Sequence, residues 1–177
     1  YHQVKRKTAA IAAGTSTSEA YSLMAAVKNV SSRALTKIDL ALLAPGTDSE
    51  NLQRLNSGDA GFAVAGSDIA PGAVARSVAV LYDNLGHLLV HKNSGIAHFP
   101  DLRGKHVGLA QAGDDYRVFL VLAKYYNLGA SDFIFVGGDQ DSADATFFSH
   151  ESEAIFRLQS AGSPYIKRIV ATTGATL

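Results

Sequence analysis

Strand-like apolar runs alternate along this chain with segments of helical periodicity, and a small polar loop joins each run to the helix that follows. The pattern begins at Thr8–Ala13, recurs at Ile38–Leu43 and returns in the second half at Lys105–Ala110. Such alternation is typical of α/β layer folds, in which helices cover the faces of a sheet. We therefore expect an α/β architecture.

The first half of the chain contains two helices with boundary signals. One begins with Ser16 as its N-cap, because Glu19 three residues later completes the spacing of a capping box. The other opens at Asp48 and ends at Gly58, where a left-handed backbone costs least. A third strand, Ala60–Ala65, has no polar face and is expected inside a sheet. The apolar stripe of the first helix consists of Ala20, Leu23, Met24 and Val27.

The second half repeats strands and helices with more turns between them. A helix is expected from about Asp114 and another from Ser152 to Ala161. Polar residues fill Gly137–Ala143, for which no helix is predicted, and the turn-forming residues 83–86 connect two strands. The predicted strands are Ser77–Tyr82, His87–His91, Lys105–Ala110, Phe133–Val136, Ala145–Phe148 and Ile166–Ala171.

Charge and composition exclude several partners and chemistries. The chain has 16 Lys and Arg against 16 Asp and Glu, with no run of like charges, so we expect no nucleic-acid partner. The absence of cysteine excludes thiol catalysis and Cys-ligated zinc. No apolar run reaches the ~18 residues of a membrane span. The opening Tyr1–Lys7 lacks the apolar core of a signal peptide, so if the protein is exported, we expect its leader to have been removed.

Three polar loops form the candidate site. They are Thr15–Thr17, Thr47–Ser49 and Gly113–Asp115, and each lies between a predicted strand and the N-terminus of a helix. Open α/β sheets bind ligands just beyond the carboxyl ends of their strands, where backbone N–H groups and hydroxyls converge. The alternative is that these side chains serve only as helix caps. Three loops of the same kind in one chain favour a cleft.

The sequence patterns that would indicate a metal site or a catalytic site are incomplete or absent. His87 and His91 lie roughly 13 Å apart on a predicted strand, so they cannot share one ion. The run Asp139–Asp144 begins like a calcium loop, but Asp144 stands where glycine is required and His150 where a bidentate Glu is required. The recognised hydrolase, nucleotide-phosphate and metalloprotease motifs are absent from the sequence. We therefore expect no enzyme, no metal and no cofactor.

Several segments resemble known solute-binding proteins. The segments are Asn51–Ala60, Ala65–Asp68, Val78–Tyr82, His87–Val90, Ser94–Ile96 and Asp101–Val107. In the first two, a helix, a Gly turn and a strand lead to a Ser-Asp pair, as in periplasmic type 2, NMT1-like solute-binding proteins. The others resemble the TAXI subgroup, the extracytoplasmic solute receptors of TRAP transporters. The piece Asp-Leu-x-Gly-Lys-x-Val is shared by many type 2 binding proteins.

By this resemblance the chain forms two α/β lobes that close on a ligand through a hinge. Residues 1–74 would form the first lobe and residues 75–177 the second, with hinge strands near 76–91. The implied function is extracytoplasmic, periplasmic capture of a small organic ligand, amino-acid-like or carboxylate-like, for the membrane subunits of a TRAP-type transporter. The alternative is a ligand-sensing regulatory domain of the same fold, attached to a signalling domain.

The resemblance also implies which residues contact the ligand. Hydroxyls and helix N–H groups would hold a carboxylate, and tyrosine rings would line its apolar part. The implied contacts are Ser16, Thr17, Tyr21, Ser49, Ser67, Asp68, Tyr82, Gly113, Asp114, Asp115 and Tyr116.

Two departures from the family pattern bear on the ligand and on the extent of the chain. Gly113–Tyr116 replaces a Gly-Ser-Gly-Thr type loop and places two carboxylates at a helix N-terminus. Either the ligand has an amine near Asp114 or Asp115, or Arg117 restores anion binding. Family members are longer, and their chain returns to the first lobe. Either this sequence omits part of a longer protein, or a partner chain, as in a homo-oligomer, covers an incomplete first lobe.

Overall fold

The computed structural model describes residues 7–34 and 37–176, which form two units. Unit 1 extends to Val80 and unit 2 begins at Leu81. Each unit packs helices on a sheet, so the expected α/β class is confirmed. The predicted lobe boundary between residues 74 and 75 stays a prediction, and the opening Tyr1–Arg6 lies outside the described residues. Among the described helices, none has the length and apolar character that crossing a membrane requires.

Unit 1 is built around a parallel sheet of three strands. Its elements are β1 (Lys7–Ala12), α1 (Glu19–Arg33), β2 (Ile38–Leu43), α2 (Asp48–Ser57) and β3 (Phe62–Ala63). The strand order is β2-β1-β3, and β1 pairs in parallel with both neighbours. The right-handed crossover rule places α1 and α2 on opposite faces of this sheet, because the chain crosses in opposite directions. Ile11, Ala13 and Met24 form the buried core beneath α1.

Three sequence-based expectations for unit 1 need correction. The N-cap of α1 is Ser18 and not Ser16, because the Ser18 hydroxyl accepts the Tyr21 N–H and donates to the Ala13 carbonyl. Val27, predicted in the buried stripe, is 41% exposed. β3 covers two residues at an edge of the described sheet, whereas the sequence predicts a longer interior strand.

Unit 2 contains a mixed sheet of four strands. Its strands are β4 (Asn84–Val90), β5 (His106–Gly108), β6 (Ile134–Val136) and β7 (Ala154–Ser160), and its helices are α3 (Gly113–Tyr125), α4 (Gln140–Phe148) and α5 (Pro164–Thr173), with short 3₁₀ helices at Phe99–Leu102 and Ala130–Asp132. The order is β4-β7-β5-β6, with only β4 antiparallel to its neighbour. The stretch from β5 to β7 repeats the topology of β1 to β3, since its first strand becomes the central one.

Both faces of the unit 2 sheet are buried. On one face, the ring of Phe119 in α3 contacts the rings of Phe133 and Phe156, with centroids 5.0 and 5.4 Å apart. On the other face, Phe147 of α4 and Ile169 of α5 form a second fully buried cluster. The sheet is therefore the middle layer of three.

The first strand of unit 2 begins later than the sequence predicts. Within the described residues, Ser77–Tyr82 forms no strand, and Val78 and Val80 are 81% and 87% exposed. The predicted turn at residues 83–86 instead leads into β4, because Asn84 pairs with Ser160 at the end of β7. A strand requires a neighbouring strand for its backbone hydrogen bonds, and β7 is such a neighbour only from Asn84 onward.

Two elements near the end of the chain differ in type from the prediction. β7 occupies most of the predicted helix Ser152–Ala161. A strand buried on both faces shows no alternation, and Ile155 and Leu158 are also spaced like one helical turn. α5 occupies the predicted strand Ile166–Ala171. Its β-branched residues favour a strand, but its sheet-facing residues follow the helical spacing of three and four.

α4 replaces both the polar loop and the strand predicted between β6 and β7. Ala145–Phe148 is its last turn, and α4 starts inside the predicted loop, at Gln140. The boundary signal is Asp139, whose carboxylate accepts the Ser142 N–H at 2.8 Å as an N-cap. The acidic residues that resemble the start of a calcium loop therefore begin a helix.

Replacement of Gly137 by alanine should destabilise unit 2, because α4 touches the backbone at this point. A Cβ at Gly137 would lie 2.5 Å from the backbone of Ala143, and the φ angle of Gly137 is +97°. We expect Gly137→Ala to reduce the free energy of unfolding by about 2–4 kcal/mol in urea denaturation. Gly138→Ala is the matched control, since a Cβ there meets no atom within 4 Å. Equal losses for the two variants would contradict this account.

Candidate functional site

The strand order of unit 1 reverses at β1, and at such a reversal open α/β sheets form a crevice at one edge. From β1 the chain crosses to β2 on one side, and from β2 it returns to β3 on the other. The loops that follow β1 (residues 13–18) and β3 (residues 64–68) therefore diverge. In open α/β sheets, ligands bind between two such loops. We call this place the β1/β3 crevice.

One buried side chain joins the two loops of the β1/β3 crevice. Asn51 of α2 is 0% exposed. Its Oδ1 accepts the N–H of Gly14 at 3.0 Å, and its Nδ2 donates to the carbonyl of Val64 at 2.8 Å. Asp48, one turn earlier on α2, accepts the N–H of Gly66 at 2.6 Å. The first turn of α2 therefore fixes the positions of both loops.

The loop after β1 carries hydroxyl groups beside the N-terminus of α1. Ser16 and Thr17 are exposed, and the hydroxyls of Thr15 and Thr17 lie 3.4 Å apart. Tyr21, in the first turn of α1, is half-buried against the core of unit 1. Hydroxyls and the positive end of a helix dipole favour a negatively charged group, and Glu19 in the first turn of α1 offsets part of that dipole.

A carboxylate lies on the other side of the β1/β3 crevice. Asp68 is exposed in the loop after β3. Its carboxylate lies next to Gly66, because Oδ1 is 2.5 Å from the position that a Cβ would occupy on that glycine. Ser67 is exposed beside it, and Ser49 is exposed in the first turn of α2. Because Asp68 favours a positive group, the two loops attract groups of opposite charge.

The repeated topology gives unit 2 a corresponding sheet edge. Gly113–Tyr116 form the first turn of α3 there, directly after the loop that follows β5. Tyr82 is half-buried and precedes β4, whose first residue pairs with the last residue of β7. The ring of Tyr116 meets the ring of Phe135 edge to face at 5.2 Å, so it is held against the core.

The two carboxylates at the start of α3 already have protein partners. Asp115 accepts the N–H of Leu158 in β7 at 3.3 Å. Burial raises the pKa of Asp115 to about 6, although the Arg157 guanidinium and the Leu158 hydrogen bond lower it. Asp114 lies 3.6 Å from Arg117 in an ion pair. The predicted roles of these residues toward a ligand amine or anion stay predictions.

A buried ion pair and its hydrogen bonds connect four elements of unit 2. Arg157 of β7 is 1% exposed, and its Nη2 donates to the Asp144 carboxylate of α4 at 2.6 Å. Its Nη1 donates to the Gly108 carbonyl of β5 at 3.1 Å. The Tyr165 hydroxyl of α5 donates to the same carboxylate at 2.6 Å, and burial raises the pKa of Tyr165 to about 12. This cluster holds α4 and α5 on the sheet.

Two histidines contact each other at the opposite edge of the unit 2 sheet. The ring of His91 lies 4.1 Å from that of Phe147 and 4.2 Å from that of His150. Its Nε2 is 3.0 Å from the Phe147 carbonyl, and burial lowers the pKa of His91. In residues 7–34 and 37–176, no three His, Cys, Asp or Glu side chains group as metal ligands. We therefore assign the pair to packing.

The structure places the predicted site residues at two sheet edges, one in each unit. At the edge of unit 1 lie Ser16, Thr17, Ser49, Ser67 and Asp68, with Tyr21 in the first turn of α1. At the edge of unit 2 lie Tyr82, before β4, and Gly113, Asp114, Asp115 and Tyr116, in the first turn of α3. Their roles as ligand contacts stay predictions.

Sequence reasoning missed the roles of two of the buried polar residues, Asn51 and Arg157. A signal for Asn51 exists, since it lies one turn before Leu55 and beside Leu52 on the buried face of α2. A buried polar side chain requires hydrogen-bond partners, so its position on that face predicts contacts with nearby loops. No comparable signal marks Arg157, because the pattern around it predicts a helix.

Comparisons with known structures agree with this architecture. The chain is similar to the periplasmic aliphatic sulphonate binding protein SsuA from Escherichia coli, with a TM-score of 0.64 at 20% identity over 97% of this chain and 59% of that one. It is similar to HinK, a LysR family transcriptional regulator from Pseudomonas aeruginosa, with a TM-score of 0.63 at 16% identity over 91% and 55%. It is also similar to an ancestral arginine-binding protein bound to arginine, with a TM-score of 0.59 at 17% identity over 97% of this chain and 78% of that one. At these identities the likeness shows the fold alone. The chain spans 55% to 60% of the length of three SsuA proteins with similar structures.

Sequence comparisons identify the family of the chain. Comparison with curated protein sequences found no match. A family profile described as NMT1/THI5 like matches residues 36–161, which is more than half of the chain. Membership of the TAXI subgroup stays a prediction. The fold is that of a type 2 periplasmic solute-binding protein, and the chain belongs to the NMT1/THI5-like family.

Proposed function

We propose that this protein is a non-catalytic receptor that captures a small organic molecule at the β1/β3 crevice of unit 1. The observation that carries the proposal is the hydrogen bonding of Asn51 to both loops, which holds a hydroxyl-rich loop and a carboxylate-bearing loop at one crevice. The predicted contacts at the edge of unit 2 stay a separate prediction. The family match and the binding-protein fold support this class of function.

The charges at the crevice define the proposed ligand. The start of α1 and the hydroxyls of Ser16 and Thr17 suit a carboxylate or sulfonate. Asp68 suits an ammonium or guanidinium group. We therefore infer a ligand that carries both, such as an amino acid or an amino sulfonate. The similar structures include one bound to arginine and one described as binding aliphatic sulphonates.

The proposed place of action is outside the cytoplasmic membrane, with a membrane transporter as the partner. Periplasmic and extracellular binding proteins among the similar structures support this location. The resemblance to the TAXI subgroup makes a TRAP-type transporter the proposed recipient, whereas two similar structures are described as ABC transporter proteins. Pull-down of detergent-solubilised membrane subunits of each type with the ligand-loaded protein would separate the two.

The proposal is tested by identifying what the protein carries. Native mass spectrometry of the purified protein should detect a bound small molecule, and denaturation should release it chemically unchanged, as expected for a receptor. Calorimetric titrations with L-arginine, 2-aminoethanesulfonate, succinate and putrescine then compare the ligand classes. Tighter binding of succinate than of every amine-bearing compound would contradict the inferred ligand chemistry.

Asp68→Asn should weaken binding of the amine-bearing ligands. The variant removes the negative charge of Asp68, and a hydrogen bond between charged groups contributes about 1.5–3 kcal/mol, so we expect roughly a 10- to 100-fold rise in Kd by calorimetry. Asp59→Asn is the matched control, because Asp59 is exposed and pairs with Arg54 beyond the end of α2. An unchanged Kd for Asp68→Asn would show that Asp68 does not contact the ligand.

A second candidate function is a ligand-sensing regulatory domain. The similarity to HinK, a transcriptional regulator, favours it. Determination of the full reading frame separates the candidates, since a DNA-binding or kinase segment on the same polypeptide would establish sensing. An adjacent gene for a transporter membrane subunit would favour transport.

A further inference from the structure

We propose that Asn51 is a positioning residue for the ligand, because its side-chain amide sets the distance between the two loops of the β1/β3 crevice. This inference rests on the proposed function and adds to it a residue outside the predicted contact set. Asn51 is fully buried, so it acts through the loops and does not touch the ligand.

The side-chain amide of Asn51 stands where the backbone ladder ends. In the described residues, the pairing of β1 with β3 closes with the bond from the Val64 N–H to the Ala12 carbonyl at 2.9 Å. One step further along the strands, Asn51 accepts from Gly14 and donates to Val64. A carboxamide has one acceptor and one donor group, as a peptide unit has. Asn51 therefore adds one rung between strands that are already diverging.

Both backbone groups that Asn51 binds lead directly into the predicted contacts. Gly14 lies two residues before Ser16, and Val64 lies three residues before Ser67. Gly14 has a φ angle of +80°, so the turn into the hydroxyl-bearing loop starts at the residue that Asn51 fixes. A change in this rung would alter the separation of the anion-attracting and cation-attracting loops, and binding of a ligand that spans both depends on that separation.

The chemistry of the amide gives variants with different predicted effects. Asn51→Leu keeps the branching at Cγ and the number of heavy atoms but has neither donor nor acceptor, and it leaves the Gly14 N–H and the Val64 carbonyl without their partner. Asn51→Asp keeps the acceptor for Gly14, but an ionised carboxylate repels the Val64 carbonyl. A protonated carboxyl can donate to that carbonyl again, so this variant should recover as the pH falls.

The test measures affinity and stability together, with L-arginine and 2-aminoethanesulfonate as the probes. We expect Asn51→Leu to raise the Kd of the probe that the wild type binds by at least about tenfold. Leu52→Ala is the matched control, because Leu52 is the adjacent buried residue of α2 and contacts neither loop through hydrogen bonds of its side chain. It should lose stability but keep its Kd within about threefold.

The pH dependence distinguishes positioning from a merely structural role. For Asn51→Asp, the Kd relative to the wild type should be at least about tenfold higher at pH 8 and should approach the wild-type value at pH 5. Dividing by the wild-type Kd at each pH removes the titration of other groups. This variant also keeps the proposal testable if Asn51→Leu does not fold.

The outcomes separate the positioning role of Asn51 from the proposed function. Wild-type affinity in folded Asn51→Leu, or a pH-independent Kd ratio for Asn51→Asp, would overturn the positioning role while leaving the proposed function intact. Failure of the wild type to bind either probe or to carry any small molecule would overturn the proposed function itself, and the positioning role with it.

Discussion

Asp115→Asn should be more stable than the wild type at pH 8, by up to about 3 kcal/mol, and nearly equal to it at pH 4. Burial raises the pKa of Asp115 from 3.8 to about 6, and each pKa unit corresponds to about 1.4 kcal/mol. The folded state therefore favours the protonated carboxyl. Its stabilising contribution is complete below pH 3.8 and is lost as the pH rises through about 6. Asparagine cannot ionise, and it keeps the oxygen that accepts the Leu158 N–H.

Urea denaturation of both proteins at each pH from 4 to 8 measures this effect. The relevant quantity is the difference between variant and wild type, because other carboxylates titrate in both. Asp83→Asn is the control, since Asp83 is exposed and precedes β4. A difference for Asp115→Asn that does not grow between pH 4 and pH 7 would show that folding does not raise the pKa of Asp115.

Asp144→Ala should reduce the free energy of unfolding by about 3–5 kcal/mol. The variant leaves the guanidinium of Arg157, which is 1% exposed, without the carboxylate that lies 2.6 Å from it. The Tyr165 hydroxyl loses its acceptor as well. An uncompensated buried charge costs far more than the pair contributes, so removing one partner has the largest effect among the variants proposed.

A double variant checks that explanation. Asp144→Leu combined with Arg157→Met removes both charges, and we expect it to recover most of the loss seen in Asp144→Ala. The exposed pair of Arg54 and Asp59 provides the comparison, because Asp59→Ala should change the free energy of unfolding by less than about 1 kcal/mol. Similar small losses at both pairs, measured by urea denaturation, would be inconsistent with a charge-compensation role for Asp144.

Local signals predicted the elements of unit 1 better than those at the end of unit 2. α2 follows from its sequence because Asp48 opens it and Gly58 closes it, with the left-handed backbone that glycine adopts readily. β7 does not, because burial on both faces removes the alternation by which a half-exposed strand is recognised. α4 begins directly after its N-cap Asp139, and the polar composition around that residue hides the cap signal.

The candidate site was predictable to the extent that it depends on strand direction. Loops after parallel strands share one edge of a sheet, so the grouping of Ser16 with Ser67 follows from the pattern of strands and helices. The contacts of Asn51 and Asp115 depend on which strands are neighbours. The order β2-β1-β3 places β3 beside β1, and no feature of the sequence specifies that order.

The position of β4 constrains how unit 2 folds during synthesis. β4 is the first strand of its sheet to leave the ribosome, yet it pairs with β7, the last strand. The register pairs Asn84 with Ser160, so the two strands cannot pair until β7 has been synthesised. Long-range antiparallel pairing of this kind forms slowly, and apolar residues such as Leu89 stay uncovered until β7 has emerged. The nascent chain is therefore most prone to aggregate before β7 has been synthesised. A chaperone that binds β4 during this interval would reduce aggregation of the nascent chain.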